Sequence, residues 1–160
     1  MQEFFAEYKT LIVFLHVFSA VVWVGGMIAM RYAAHPAFLQ IESPAHRMER
    51  IAFALKGLFT IVVPFVALLF ITAFIMLQAY DLSNTEFATL GDIKEGIWSL
   101  MAVNLFVMIL RRNRAVKLLN EGNMVGAKFS LELIGKYMVP ANIILGSIAI
   151  FLGVALSSSL

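Results

Sequence analysis

His16 is the one ionisable side chain that lies well inside an apolar stretch of this 160-residue chain. Such a group is costly in hydrocarbon and marks a functional site by default. His16, Ser19, Trp23, Gly26, Met27 and Met30 recur at steps of three and four residues. That spacing places them on one helical stripe. Imidazole accepts copper or haem iron, and soft thioethers select Cu(I). Counted from the midpoint of each apolar stretch, Met76 and Met101 fall in the same outer half as His16. Asn104 and Ser147 fall near the midplane, and Met27, Met30, Met108 and Met138 in the inner half. Met101, Asn104 and Met108 share one face of the third stretch.

If these faces converge, an outer layer of imidazole and thioether lies above a polar midplane and an inner thioether layer. His16, Met76 and Met101 are then the metal donors, and Trp23 and Ser19 flank a cofactor held by His16. Met27, Met30, Met108, Asn104, His35 and His46 are secondary positions. Each residue also has a structural reading. Methionine is a flexible gap-filler. Asn104 and Ser147 suit interhelical hydrogen bonds, and Gly25–Gly26 suits close helix packing. His35 and His46 fall in a basic connection as loop residues, and His16 itself could be a satisfied buried imidazole.

The elements that must position these residues follow from hydropathy. The chain is 61% hydrophobic and 14% charged, with a mean hydropathy of +0.89. Soluble domains average about 45–50% apolar and about 25% charged. So short a chain cannot hide this excess in one core. A soluble globular domain, a disordered chain and a nucleic-acid module are thereby excluded. Crossing a bilayer takes about 20 apolar residues in a helix. Four stretches meet or nearly meet this, at about 10–30, 57–80, 93–111 and 137–156, the third being short at its apolar core of 97–110. None alternates with period two, so helices are the remaining choice. The first stretch follows Glu3 and Glu7 with only Lys9 among basic residues, unlike a secretory leader, and reads as a retained helix. The expected fold is an all-α integral membrane protein, a single four-helix bundle over 1–160.

Twelve Lys and Arg face ten Asp and Glu, and the basic residues are lopsided. Ten of the twelve flank connections one and three, and only Lys9 and Lys94 lie on the other side. The positive-inside rule then puts both termini on the outer, periplasmic side. Pro36 and Pro44 bracket a short first connection. Residues 111–120 extend the third helix, with Gly122 and Gly126 as its stop. Glu132 and Lys136, at i,i+4, support a helical turn into the fourth span. With no cysteine there is no disulfide, thiolate zinc site or iron–sulfur cluster. No nucleophile–base arrangement, intramembrane carboxylate pair or phosphate-binding glycine loop is present.

The twelve residues Leu15-His16-Val17-Phe18-Ser19-Ala20-Val21-Val22-Trp23-Val24-Gly25-Gly26 resemble the first-helix signature of the CopD family. That signature is Leu-His, six apolar or small residues, then Trp-x-Gly-Gly. The family is associated with copper uptake or resistance at the bacterial inner membrane. It is related in fold to four-helix b-type cytochromes and to HemJ, a haem-containing protoporphyrinogen oxidase. The resemblance implies that the family's marked histidine falls on His16, its tryptophan on Trp23 and its glycines on Gly25 and Gly26. Beyond Met30 the chain reads Arg31-Tyr32-Ala33-Ala34-His35-Pro36, unlike the Leu-Pro-Arg continuation of HemJ.

Three expectations stand side by side. In the first, copper is taken at the outer layer by His16 with Met76 or Met101 and passed to Met108, Met27 and Met30. In the second, the chain is a b-type haem protein acting in electron transfer or HemJ-like tetrapyrrole oxidation, with His16 as an axial ligand of haem b, Trp23 and nearby Phe against the porphyrin and an interfacial Arg or Lys on its propionates. In the third, the chain is a structural or assembly subunit without a ligand. The expected partners are membrane lipids and either a second copy or another membrane or periplasmic protein, with no nucleic acid.

Overall fold

In hydrocarbon each backbone N–H and C=O needs a partner within its own segment, which a continuous helix supplies. The computed structural model describes residues 2–80 and 88–159 and is helical almost throughout. The helices are α1 (Gln2–Ala29), α2 (His35–Phe38), α3 (Pro44–Tyr80), α4 (Ala88–Asn120), α5 (Met124–Leu133) and α6 (Val139–Ser159). Two π-helical turns, Met30–Ala34 and Ile134–Met138, join α1 to α2 and α5 to α6. Four helical stretches are long and apolar enough to cross a membrane: Gln2–Phe38, Pro44–Ala79, Gly91–Asn120 and Met124–Leu156. Asp81 and Glu86 of the second connection lie outside the described residues.

α1 packs on α3, α3 on α4, α4 on α6 and α6 back on α1, which closes the ring of four. α5 packs against α4 and α3 at the basic end. Inside the ring, Trp23, Met27, Val62, Met108 and Asn142 are fully buried. Outside it, Phe14, Phe53, Phe106, Phe151 and Val154 are exposed. An apolar belt of this extent suits lipid rather than water.

The helices run further than the hydropathy stretches. α3 begins well before residue 57 and passes through Pro64 without ending. α1 continues through its π turn and Pro36 to Phe38, so the first connection is residues 39–43 and Pro36 does not bracket it. The two π turns share one cause. The N–H of His35 bonds to the Met30 carbonyl, and that of Val139 to the Ile134 carbonyl, each five residues back. A proline follows in both cases, Pro36 and Pro140. A proline ring in an α-helix clashes with the carbonyl four residues earlier. Widening the preceding turn relieves that clash while the helix continues.

Gly122 ends α4 with a left-handed φ of 76°, as expected of a helix stop. Gly126 does not stop it. Its N–H instead donates to the Asn123 side chain that caps α5. Glu132 pairs with Lys128 on α5, at 3.9 Å, rather than with Lys136, because the π turn intervenes before Lys136.

Candidate functional site

Two clusters of polar side chains link helices inside the ring, each from a different helix pair. The first joins α1 to α3. His16 is half-buried, and its Nδ1 lies 3.0 Å from the Thr72 hydroxyl. Thr72 is itself buried and donates its single proton back to the Leu68 carbonyl at 2.8 Å, with the Leu69 carbonyl at 3.0 Å. A hydroxyl whose proton is committed can only accept. With that proton on the Leu68 carbonyl, Nδ1–H of His16 is the donor and the lone pair rests on Nε2. Met76 follows Thr72 by one turn on the same face of α3 and is half-buried. Lys94, grouped with the second connection on sequence, instead lies in α4 with its ammonium turned inward. Its Nζ is 3.3 Å from where a Gly153 Cβ would stand, and it is within electrostatic range of His16.

The second cluster joins α4 to α6 near the middle of the bundle. The Asn104 amide donates to the Met138 carbonyl and to Asn142 Oδ1, both at 2.8 Å. Asn142 is fully buried and donates in turn to the Met101 carbonyl at 3.4 Å. Asn104 is thus an interhelical bridge. The double substitution Asn104→Ala with Asn142→Ala, set against the two single changes, should show a coupling of roughly 0.6 kcal/mol and no more than ~1.7 kcal/mol. Thermal unfolding in detergent measures it.

The stripe on α1 faces inward as expected. Ser19, Trp23, Met27 and Met30 are all buried, and a Cβ on Gly26 would come within 2.9 Å of Leu58. Gly25 is the exception, since it is exposed and has nothing within 4 Å. Ser19 bonds to the Leu15 carbonyl of its own helix, at 2.7 Å. Trp23 Nε1 and Trp98 Nε1 are buried with no partner, and Trp98 stacks on Phe70.

The methionines are not an open relay. Met27, Met30, Met101 and Met108 belong to one continuous apolar core with Trp23, Leu105 and Ile134. Met101 lies against Gly146 of α6, where its methyl would be 3.1 Å from an added Cβ. Ser147 is exposed and bonds back to the Ile143 carbonyl, so it does not bridge helices. His35 is not a loop residue. It sits on the helical continuation of α1, with its ring facing Gly135 of the second π turn. His46 is exposed in the first turn of α3, where its backbone N–H approaches Ser43 Oγ. His16, His35 and His46 therefore occupy three separate places.

Among the described residues no three His, Cys, Asp or Glu side chains converge to hold a metal. Thr72 and Asn142 carry no charge and so do not stand out in the sequence as costly groups within the spans. Both were open to the rule that singled out Asn104, a hydrogen-bonding side chain within an apolar run. Compared with known proteins, the chain matches no family model, no curated protein and no solved structure.

Proposed function

We propose that this is a CopD-like protein of the bacterial inner membrane that handles copper, with His16 as the intramembrane ligand. Both termini lie on the periplasmic side, and the basic end carrying α5 faces the cytoplasm. One observation carries the reading, the commitment of the Thr72 proton to Leu68. A ligating histidine is typically held by a hydrogen bond from its other ring N–H, which fixes its tautomer and raises its basicity. Thr72 holds His16 in this way, from a neighbouring helix and with Nε2 left free. Met76 is the nearest thioether along the same face of α3, whereas Met101 of α4 packs in the core against Gly146. The inner methionines pack the core, so the proposed site is the outer layer.

Titration of the purified protein with Cu(I) against a competing chelator tests this. Unmodified protein should bind about one Cu(I) per chain. Thr72→Val removes the orienting acceptor and should weaken binding by about 10–100-fold. Unchanged affinity in Thr72→Val would remove the observation on which the proposal stands.

Lys94 favours a second reading. A half-buried ammonium within electrostatic range of His16 suits the propionate of a haem b better than it suits a cation. His16 would be one axial ligand, and the unpartnered indole N–H groups of Trp23 and Trp98 would be available as donors. An absorption spectrum separates the two readings. A Soret band lost in His16→Ala selects haem, and a colourless protein that binds Cu(I) selects copper.

A further inference from the structure

The two π turns line a single cavity of about 440 Å³ at the basic end of the bundle. Arg31 and His35 reach it from the first turn and α2, Lys136 from the second turn, Arg47 from α3, and Lys128 with Glu132 from α5. Four permanent cations thus face one carboxylate. Lys128 is occupied by Glu132, and Arg47 donates from Nε and Nη2 to the Ile41 carbonyl. Arg31 and Lys136 have no hydrogen-bond or ion-pair partner among the described residues. Each is carried by one of the π turns. Behind the charged rim, the cavity is walled by Met30, Leu55, Leu131 and Val139, all buried and apolar.

A charged rim over an apolar interior does not suit a free anion or a peptide. It matches a molecule with an anionic head and a hydrocarbon chain. The cavity lies at the end of the bundle where the positive-inside rule places the cytoplasmic leaflet, whose anionic lipids are drawn to basic pockets between helices. We infer that this cavity binds one anionic phospholipid, with its phosphate between Arg31 and Lys136 and an acyl segment against Leu55 and Leu131. The inference concerns the opposite end of the bundle from His16 and does not depend on what His16 binds. The two wide turns, each followed by a proline (Pro36 and Pro140), bring their unpaired cations to the same opening.

Native mass spectrometry of the protein taken from mixed micelles of phosphatidylglycerol and phosphatidylcholine tests the assignment. One phosphatidylglycerol per chain should persist. The double variant Arg31→Gln, Lys136→Gln should reduce its retention about tenfold or more, because charge-assisted hydrogen bonds to the phosphate are lost. Arg111→Gln with Arg114→Gln removes two cations outside the cavity and should leave retention unchanged. Equal loss in both double variants would overturn the inference. The unmodified protein gives an independent reading should the first pair fail to fold. Phosphatidylglycerol should raise its unfolding temperature in a concentration-dependent way. Phosphatidylcholine or inorganic phosphate raising it equally would contradict a site that uses both the head and the chain.

Discussion

Replacing Gly146 by leucine is expected to prevent the four-helix ring from closing. A Cβ at this position would overlap the Val24 side chain of α1 and approach the Met101 methyl of α4 to 3.1 Å. Gly146 is thus where α6 comes closest to two other helices at once. Val24 and Met101 are both buried, so neither can swing into open space. Overpacking a filled core costs typically about 1–3 kcal/mol. A full leucine against β-branched Val24 belongs at or above the top of that range, because a β-branched side chain has little χ1 freedom with which to give way. Gly146→Leu should therefore unfold well below the parent in detergent, or fail to yield a monodisperse protein. Gly25→Leu is the matched control. Its helix face is open, and its unfolding temperature should stay close to that of the parent.

His16→Ala is expected to abolish Cu(I) binding while leaving the bundle folded. Loss of the ligand must cost more than the 10–100-fold attached to loss of its orienting partner, so affinity should fall by more than ~100-fold. The fold should tolerate the change because His16 is half-buried and Thr72 keeps its own bonds to Leu68 and Leu69. A His16→Ala protein that is destabilised yet binds copper as before would assign His16 to packing. Met76→Leu and Met101→Leu divide the sulfur question, since each keeps the side chain's volume and removes one thioether.

Much of the bundle was legible in the sequence because hydropathy reports burial in lipid directly. The four stretches fall within the four long helices, and the inward stripe from Ser19 to Met30 follows from three- and four-residue spacing. Helix ends were less legible. Hydropathy falls where a helix leaves the hydrocarbon, not where it stops, so the polar first turns of α3 carried no signal of helix. Pro36 read as a boundary because proline usually breaks an α-helix, whereas a π turn here absorbs it. The second π turn, Ile134–Met138, explains why Lys136 is out of register with Glu132.

The site was legible in its centre and not in its surroundings. His16 stood out as an ionisable group among apolar neighbours. Its partner Thr72 lies 56 residues away on another helix, and only helix packing brings the two together. The methionines illustrate the opposite failure. Their depths suggested layers, but thioethers fill cores as readily as they bind metals, and Met27, Met101 and Met108 are packed into one. Lys94 was assigned by its position beside acidic residues, although its stem is long enough to turn its charge back into the bundle.

The account turns on one atom, the unprotonated Nε2 of His16. Nitrogen NMR of protein carrying isotope-labelled histidine, with the His16 signals assigned by comparison with His16→Gln, observes that atom directly. The Nδ1–H tautomer is predicted in the metal-free protein, together with a shift of the Nε2 signal on addition of Cu(I). An Nε2–H tautomer, or a His16 signal unmoved by the metal, would contradict the account.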